Sequence, residues 1–371
     1  MISRISQEPA KQYSRIKNIL FVVELCITIL FLFIMATQGP SIWIRDFAFR
    51  IADNIWISTA IYFFIFGSIY IGVSFPLDLY QGFSLEHKFS LSTQSFPLWF
   101  KDYVKKLLIG GTISLVLIES LYFFLRRFEA NWWILAALLW ITFMIILSRV
   151  APVLILPLFF KIKRLEDENL RARLLNLAKR SGAKVKDAFE IDLSKKTVKA
   201  NAGLAGLGKS RRILLGDTLL KDYTPDEIGV VLAHELGHHK YGHILKFIAF
   251  GAISSFVGFY IANNIFKDLT SPLGLESMAD LAGFPLLLLI LFFFMLFILP
   301  LQNGLGRAFE RQADYFSIDI TENPDAFIST MRKLGEQNLA DYNPSRIVEI
   351  FLYDHPPISK RIKMAENYKV R

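Results

Sequence analysis

The chain has a single cysteine, Cys26, among 371 residues. One thiol excludes an internal disulfide and any zinc site built on cysteines. Cys26 lies in an apolar run and is expected to be a small buried residue. Histidine is also scarce, six in all. There is no internal repeat and no low-complexity tail. The polarity of an ordinary soluble protein is missing as well: 53% of residues are hydrophobic, 34 are Phe, and the mean hydropathy is +0.39. Long apolar runs of this kind point to a membrane. A net charge of +9 could suggest nucleic acid. Lys and Arg, however, cluster beside the apolar runs, which is the pattern of membrane topology.

What is present is concentrated in VVLAHELGHHKYGH (230–243). His234 and His238 stand at i and i+4 of an H-E-x-x-H motif, on one face of a helix, so both imidazoles reach one metal ion. Two neutral His nitrogens, a third protein ligand and an open position for water suit one zinc ion, with Glu235 beside it as general base. The helix has its own start signal. Thr224, Pro225 and Glu227 read as a capping box with proline at the first helical position. His239 projects about 100° round the helix from His238 and is expected to be solvated or to act only indirectly. His243 is out of step with the metzincin pattern. A second helix carrying a carboxylate supplies the alternative: Glu310 and Asp314 in RAFERQADYFS (307–317) are i, i+4. Glu310 could bind the metal and Asp314 orient one of the histidines.

Six apolar runs are expected to span the membrane: 19–36, 55–75, 107–125, 132–160, 247–266 and 282–301. The first is too long for a signal-peptide core and has no clear cleavage site, so it is expected to be retained. The fourth is expected to break at Pro152 and Pro157. Glu24, Glu119 and Arg149 fall inside the runs, where a charge is costly unless it meets water or a partner. Arg149 is expected to snorkel or pair; Glu119 is open between a wet cavity and a pairing. The organisation expected is an amino-terminal membrane region (1–160) with a polar loop at 77–106, a first soluble block (161–243), two further spans (244–302) and a helical carboxy-terminal block (303–371). In the first block, 165–183 reads as an amphipathic helix and 188–193, 198–205 and 211–216 as short strands. The basic segments share one side, so the positive-inside rule puts both soluble blocks in the cytoplasm.

Residues 203–210, GLAGLGKS, match the phosphate-binding P-loop. A P-loop follows a buried apolar strand and opens a helix. Here the upstream residues are polar and the downstream ones read as a strand. A nucleotide-binding membrane ATPase is therefore only the alternative, and neither nucleotide nor nucleic acid is expected as a partner.

Taken with LEHKFSLSTQSFPLWFKDYVKK (85–106), KANAGLAGLGKSRRILLGDTLL (199–220) and HPPISKRI (355–362), these motifs resemble the zinc-dependent type I CAAX prenyl proteases. More distantly they resemble the HtpX-like membrane metallopeptidases, which act in quality control. The resemblance covers most of the chain from about residue 55 and looks prokaryotic, which would place the protein in the cytoplasmic membrane. It implies a mainly α, polytopic fold: about six helices enclosing a chamber, with a zincin-like α+β metallopeptidase domain. It implies that His234, His238 and Glu310 bind zinc, that Glu235 is the base, that Asn201 and His355 flank the scissile carbonyl, and that Asp314 and Arg361 support the site. The expected activity is hydrolysis of membrane-associated or hydrophobic peptides, with CAAX-type substrates left open. The substrate would add as a β-strand near residues 201–205.

Overall fold

The structure is a computed structural model that describes residues 7–206 and 211–369. Arg4, Arg371 and the Leu207, Gly208, Lys209 and Ser210 half of the glycine-rich match lie outside the described residues. Helix α1 (Glu8–Thr37) is followed by a short α2 (Pro40–Ile51) and by α3 (Ile55–Leu79), which runs through a π-turn (Tyr80–Ser84) into α4 (Leu85–Lys88). Next come α5 (Phe96–Arg127) and α6 (Trp132–Val150), the latter continuing through a second π-turn (Ala151–Ile155) into α7 (Leu156–Phe159). A small α/β unit follows: β1 (Ile162–Arg164), α8 (Glu168–Arg180), β2 (Asp187–Ile191), β3 (Ala202–Ala205), β4 (Arg212–Gly216), α9 (Asp217–Asp222) and α10 (Pro225–Lys240). Two long helices, α11 (His243–Thr270) and α12 (Phe284–Thr321), lead to α13 (Pro324–Gln337), α14 (Arg346–Leu352) and α15 (Ile358–Lys369).

Among the described residues, six helices are long and apolar enough to cross a membrane. Their alternation puts the connections 38–54, 128–131 and 271–283 at one end of the bundle and the α/β unit at the other. The far end has its own core. Ser41 Oγ lies 2.6 Å from the Tyr62 hydroxyl, and Arg45 Nη1 reaches the buried Asp280 carboxylate at 2.6 Å. The fully buried Trp132 and Tyr62 sit in the cluster around them. Trp132 Nε1 donates to Asn263 Oδ1 and ties α6 to α11.

Several expectations are corrected. The polar loop expected at 77–106 is mostly helix, because α3 continues to Lys88 and α5 begins at Phe96. Pro152 and Pro157 do not break the fourth span. A π-turn absorbs the lost hydrogen bond instead. The catalytic helix and the fifth span are two helices, parted at Gly242 with φ 64°, a left-handed conformation that glycine adopts without strain. The carboxylate pair lies on the same helix as the sixth span, which runs unbroken through Pro300. Cys26 is exposed on α1 rather than buried. Glu24 is likewise exposed, meets Gln81 Nε2 at 3.4 Å and lines a cavity of about 610 Å³. Glu119 Oε2 and both terminal nitrogens of Arg126 are buried without hydrogen-bond partners. Arg149 is exposed.

The sheet order is β1-β2-β4-β3, with β2 and β4 parallel and both outer pairs antiparallel. β1 was not expected from the sequence. One face of the sheet, with Ala188, Ile213 and Leu215, packs on α8 and α10. β3 is an edge strand, paired on one side only with β4.

Candidate metal centre

Helix α10 starts where the sequence places it. The Thr224 side chain accepts from the Glu227 amide, and the Glu227 carboxylate accepts from the Thr224 amide at 2.7 Å. Glu227 is further held by Lys333 Nζ at 2.7 Å and the Ser329 hydroxyl at 2.6 Å. Burial alone would raise its carboxyl, but Lys333, Ser329 and the cap outweigh burial and hold it below the usual range.

Ten residues beyond Glu227, α10 crosses α12 closely. A Cβ on Gly237 would stand 3.0 Å from Ala313 Cα, so glycine is what lets the two backbones approach. The crossing brings three donor groups together. His234 Nε2 and His238 Nε2 are 3.1 Å apart; Glu310 Oε2 is 3.1 Å from His234 Nε2, and Glu310 Oε1 is 3.1 Å from His238 Nε2. Around a tetrahedral zinc with bonds of about 2.0–2.1 Å, ligand atoms sit roughly 3.3 Å from each other. The triangle is close to that size. Glu310 Oε2 is also buried with no hydrogen-bond partner. A buried carboxylate oxygen without a donor is costly unless a cation meets it, so this donor set fits a metal ion.

The other ring nitrogens are turned to supporting groups. His234 Nδ1 lies 2.9 Å from Asp314 Oδ1, near in distance though off the hydrogen-bond direction. Asp314 is clamped from behind by Arg361, whose Nε donates to Oδ2 at 2.8 Å and whose Nη2 pairs with Oδ1 at 2.5 Å. His238 Nδ1 lies 2.9 Å from His243 Nδ1, and His243 Nε2 lies 2.9 Å from Gln312 Oε1. With Gln312 Oε1 as the acceptor, the proton of His243 is assigned to Nε2. His243 Nδ1 then accepts from His238 Nδ1–H, and the lone pair of His238 is left on Nε2, facing Glu310. His243 is 1% exposed and stacks on Phe309 with ring centroids 4.3 Å apart. Sequence reasoning set His243 aside as out of register and did not single out Gln312. The signal was an i+5 histidine just past a helix-ending glycine. His239 turns away from the cluster, as expected, and meets Arg211 Nη1 at 2.9 Å.

His355 comes from the loop before α15. Gly306 on α12 makes room for it, since a Cβ there would stand 2.9 Å from the Asp354 carbonyl oxygen. His355 Nδ1 donates to Asp354 Oδ1 at 2.7 Å, and its Nε2 lies 3.2 Å from Glu310 Oε1. Asp354, like Gln312, was not singled out from the sequence. Asn201, His234, Glu235, His355 and Arg361 line one cavity of about 340 Å³, which opens beside the start of β3.

The electrostatics follow from acids and imidazoles held close together in a buried place. Burial opposes charge on His234, but Asp314 and Glu310 prevail and lift it to about 9, so a proton competes with a metal for that ring. Burial raises the Glu235 carboxyl, with His234 and His238 opposing. Burial likewise disfavours charge on His355, and the Asp354 and Glu310 carboxylates overcome it and raise its pKa.

The P-loop alternative fails on the fold. Residues 203–205 belong to an edge strand, and the next described element is strand β4 rather than the helix that a P-loop leads into.

Comparisons with known proteins identify the family. The sequence pattern of Peptidase family M48 matches residues 164–369, and that of the CAAX prenyl protease N-terminal region, five membrane helices, matches residues 2–161. An uncharacterised metalloprotease of Bacillus subtilis is 31% identical over 361 residues, covering 96% of this chain and 84% of that protein. CAAX prenyl protease 1 of Saccharomyces cerevisiae is 31% identical over 317 residues, covering 78% and 68%. The crystal structure of S. mikatae Ste24p superposes with a TM-score of 0.84 at 24% identity, covering 97% of this chain and 87% of that one, so the two share a fold in which membrane helices enclose a chamber. The chain belongs to peptidase family M48, as a multi-pass membrane metalloendopeptidase related to the CAAX prenyl proteases.

Proposed function

We propose that the protein is a zinc-dependent endopeptidase that cleaves membrane-associated or hydrophobic peptides, with prenylated CAAX-type carboxy termini as the leading substrate class. The observation that carries the reading is the 3.1 Å triangle of His234, His238 and Glu310 beside the mouth of an unpaired edge strand. The names of its relatives suggest the substrate class.

His234, His238 and Glu310 would hold one zinc ion, which when bound supplies a Lewis acid for the scissile carbonyl and for an attacking water. A substrate strand would add to the free edge of β3, aligned by main-chain hydrogen bonds. Glu235 would take the proton of the attacking water and deliver it to the leaving amide nitrogen. Its raised carboxyl, caused by burial, suits a group that must both accept and release a proton. His355 and Asn201 would donate to the carbonyl oxygen as negative charge builds there. Asp314, itself held by Arg361, would keep His234 oriented, and Gln312 would hold the proton order of His243 and His238. In this reading 1–160 forms the membrane vessel, 161–243 carries the edge strand and catalytic helix, 244–302 adds two spans, and 303–371 supplies Glu310 and His355. The distribution of Lys and Arg puts both soluble blocks on the cytoplasmic side.

The test is metal analysis of the purified full chain together with cleavage of matched peptides, prenylated and unprenylated. One zinc per chain and faster cleavage of the prenylated peptide are expected. A metal-loaded protein that cleaves neither peptide would overturn the peptidase reading. Equal cleavage of both would overturn the prenyl preference alone.

A further inference from the structure

On the far side of the His355 loop from the catalytic cavity lies a second cavity, of about 370 Å³, between α12 and α15. Its walls carry Arg307, Arg311, Lys360, Arg361 and Lys363. Only two carboxylates line it, and both are already engaged: Asp314 by Arg361, and Glu349 by Lys360 Nζ at 2.7 Å. Arg311 and Lys363 are exposed and form no ion pair among the described residues. Arg361 is 9% exposed and locked by Asp314, so the floor of the cavity is a cation fixed in place. The metal site uses Arg361 only from the other side, and no step of the peptidase reading uses Arg311, Lys360 or Lys363.

The same cavity is bordered by α14, which contributes Glu349. This short helix is soluble in position but not in character. Ile347 is 72% exposed and Phe351 46%, and they stand at i, i+4, so they form one apolar face with nothing on it. Its depth is set by two hydrogen bonds to α12. Asn303 Nδ2 donates to the Phe351 carbonyl at 2.7 Å, and Arg307 Nη1 to the Glu349 carbonyl at 2.7 Å. The apolar run of α12 ends at residue 301. At 1.5 Å per residue, Asn303 is therefore about 3 Å and Arg307 about 9 Å beyond the hydrocarbon edge. An apolar helix face held at the hydrocarbon boundary, with a cationic cavity directly behind it, has the two chemical halves of a phospholipid: acyl chain and phosphate.

We propose that α14 lies in the membrane interface and that the cavity between α12 and α15 binds the phosphate of an anionic phospholipid. Ile347 and Phe351 rest among the first acyl carbons. Arg361 and Arg307 form the fixed wall, and the exposed charges of Arg311 and Lys363 close over the headgroup. Phosphate suits these donors because Arg offers it a planar fork of N–H groups and Lys a compact charge.

The test reads binding directly and does not depend on peptidase activity. The full chain is placed in nanodiscs that mix phosphatidylglycerol with phosphatidylcholine, and the lipids retained on the protein are counted by native mass spectrometry. The wild-type chain should retain phosphatidylglycerol preferentially. The Arg311→Ala/Lys363→Ala variant removes two exposed, unpaired charges and should lose that preference by about ten-fold or more, at roughly a kcal/mol per basic residue near the surface. Ile347→Ser/Phe351→Ser should weaken retention of both lipids together. Both variants should melt at the wild-type temperature in neutral detergent, which keeps a lost signal from being a folding defect. Undiminished phosphatidylglycerol retention by the Arg311→Ala/Lys363→Ala variant would overturn the site. Displacement of the lipid by millimolar inorganic phosphate would overturn the lipid assignment in favour of a soluble anion.

Discussion

The spans and the catalytic block of this protein are packed by opposite rules. In the apolar windows of α5 and α11 only 6% of residues are buried, whereas eight of the sixteen residues of α10 are. Helix α12 contains both regimes. After a buried start at Phe284 to Leu287, its first two-thirds run mostly half-buried through the bundle; its last third, from Gly306 to Ile318, is packed on α10 and the His355 loop. Lipid is as apolar as leucine, so a span gains little by burying its side chains against a neighbour. A helix outside the membrane gains about 25 cal/mol per Å² of apolar surface removed from water. The consequence is a bundle of spans with much of its surface left for lipid, joined to an end that is packed on itself. Metal chemistry requires the second kind of packing, and a chamber requires the first.

The sharpest break in that contrast is at Glu310, which stands at the tight end of α12. Glu310→Ala should release the metal and abolish peptidase activity, read by metal content after dialysis. Retention of stoichiometric metal would mean that another residue completes the site. Next in size is Glu235→Gln. It should keep the metal and lower kcat by about 10²–10⁴-fold, the range of a lost general base; near wild-type turnover with metal bound would remove Glu235 from that role. His355→Ala should lower kcat by about a hundred-fold, with metal content unchanged, as for a lost donor to a developing oxyanion. Full kcat in that variant would make His355 a structural residue.

A pair of glycines tests the packing contrast itself. Gly237→Ala puts a methyl 3.0 Å from Ala313 Cα and should destabilise the catalytic block by about 1–3 kcal/mol. The same change at Gly67, in the span α3, meets nothing within 4 Å and should be neutral or stabilising by up to about 1 kcal/mol. Equal losses in thermal melts would show that the spans are as tightly fitted as the site. The smallest effect expected is at the helix start: Thr224→Ala should cost about 1 kcal/mol through loss of the cap. The partner Glu227 has a folded pKa held below its unfolded value, so its contribution is complete above the unfolded value of about 4.3 and fades as pH falls through the folded one. A melting temperature that does not respond to acid in this range would contradict the Lys333 and Ser329 contacts.

His234, Glu235 and His238 were legible because helical periodicity turns a spacing of four into a shared face. The capping box and the six spans were legible for similar reasons, being local patterns of polarity. Gln312 and Asp354 were not. Each acts on a histidine far from it in sequence, or by turning a ring whose direction no spacing reports. The proline-bearing π-turn between α6 and α7 also escaped. A π-turn and an outright break both satisfy the backbone near proline, and only the surroundings select between them. Gly242 was visible as a residue but not as a hinge, since its left-handed φ arises where α10 must stop and α11 turn back into the bundle.

By itself, then, the sequence determined that this is a membrane protein with a metal-binding helix. Apolar length and i, i+4 spacing act within a few turns of chain, and no fold can cancel them. The tertiary structure alone decided the rest: that Glu310, 72 residues beyond His238, comes within 3.1 Å of it, and that His243, backed by Gln312, meets Nδ1 of His238 while Nε2 faces Glu310. Those outcomes depend on the crossing of α10 and α12 at Gly237, a contact between surfaces that are remote in the chain and meet only once it has folded.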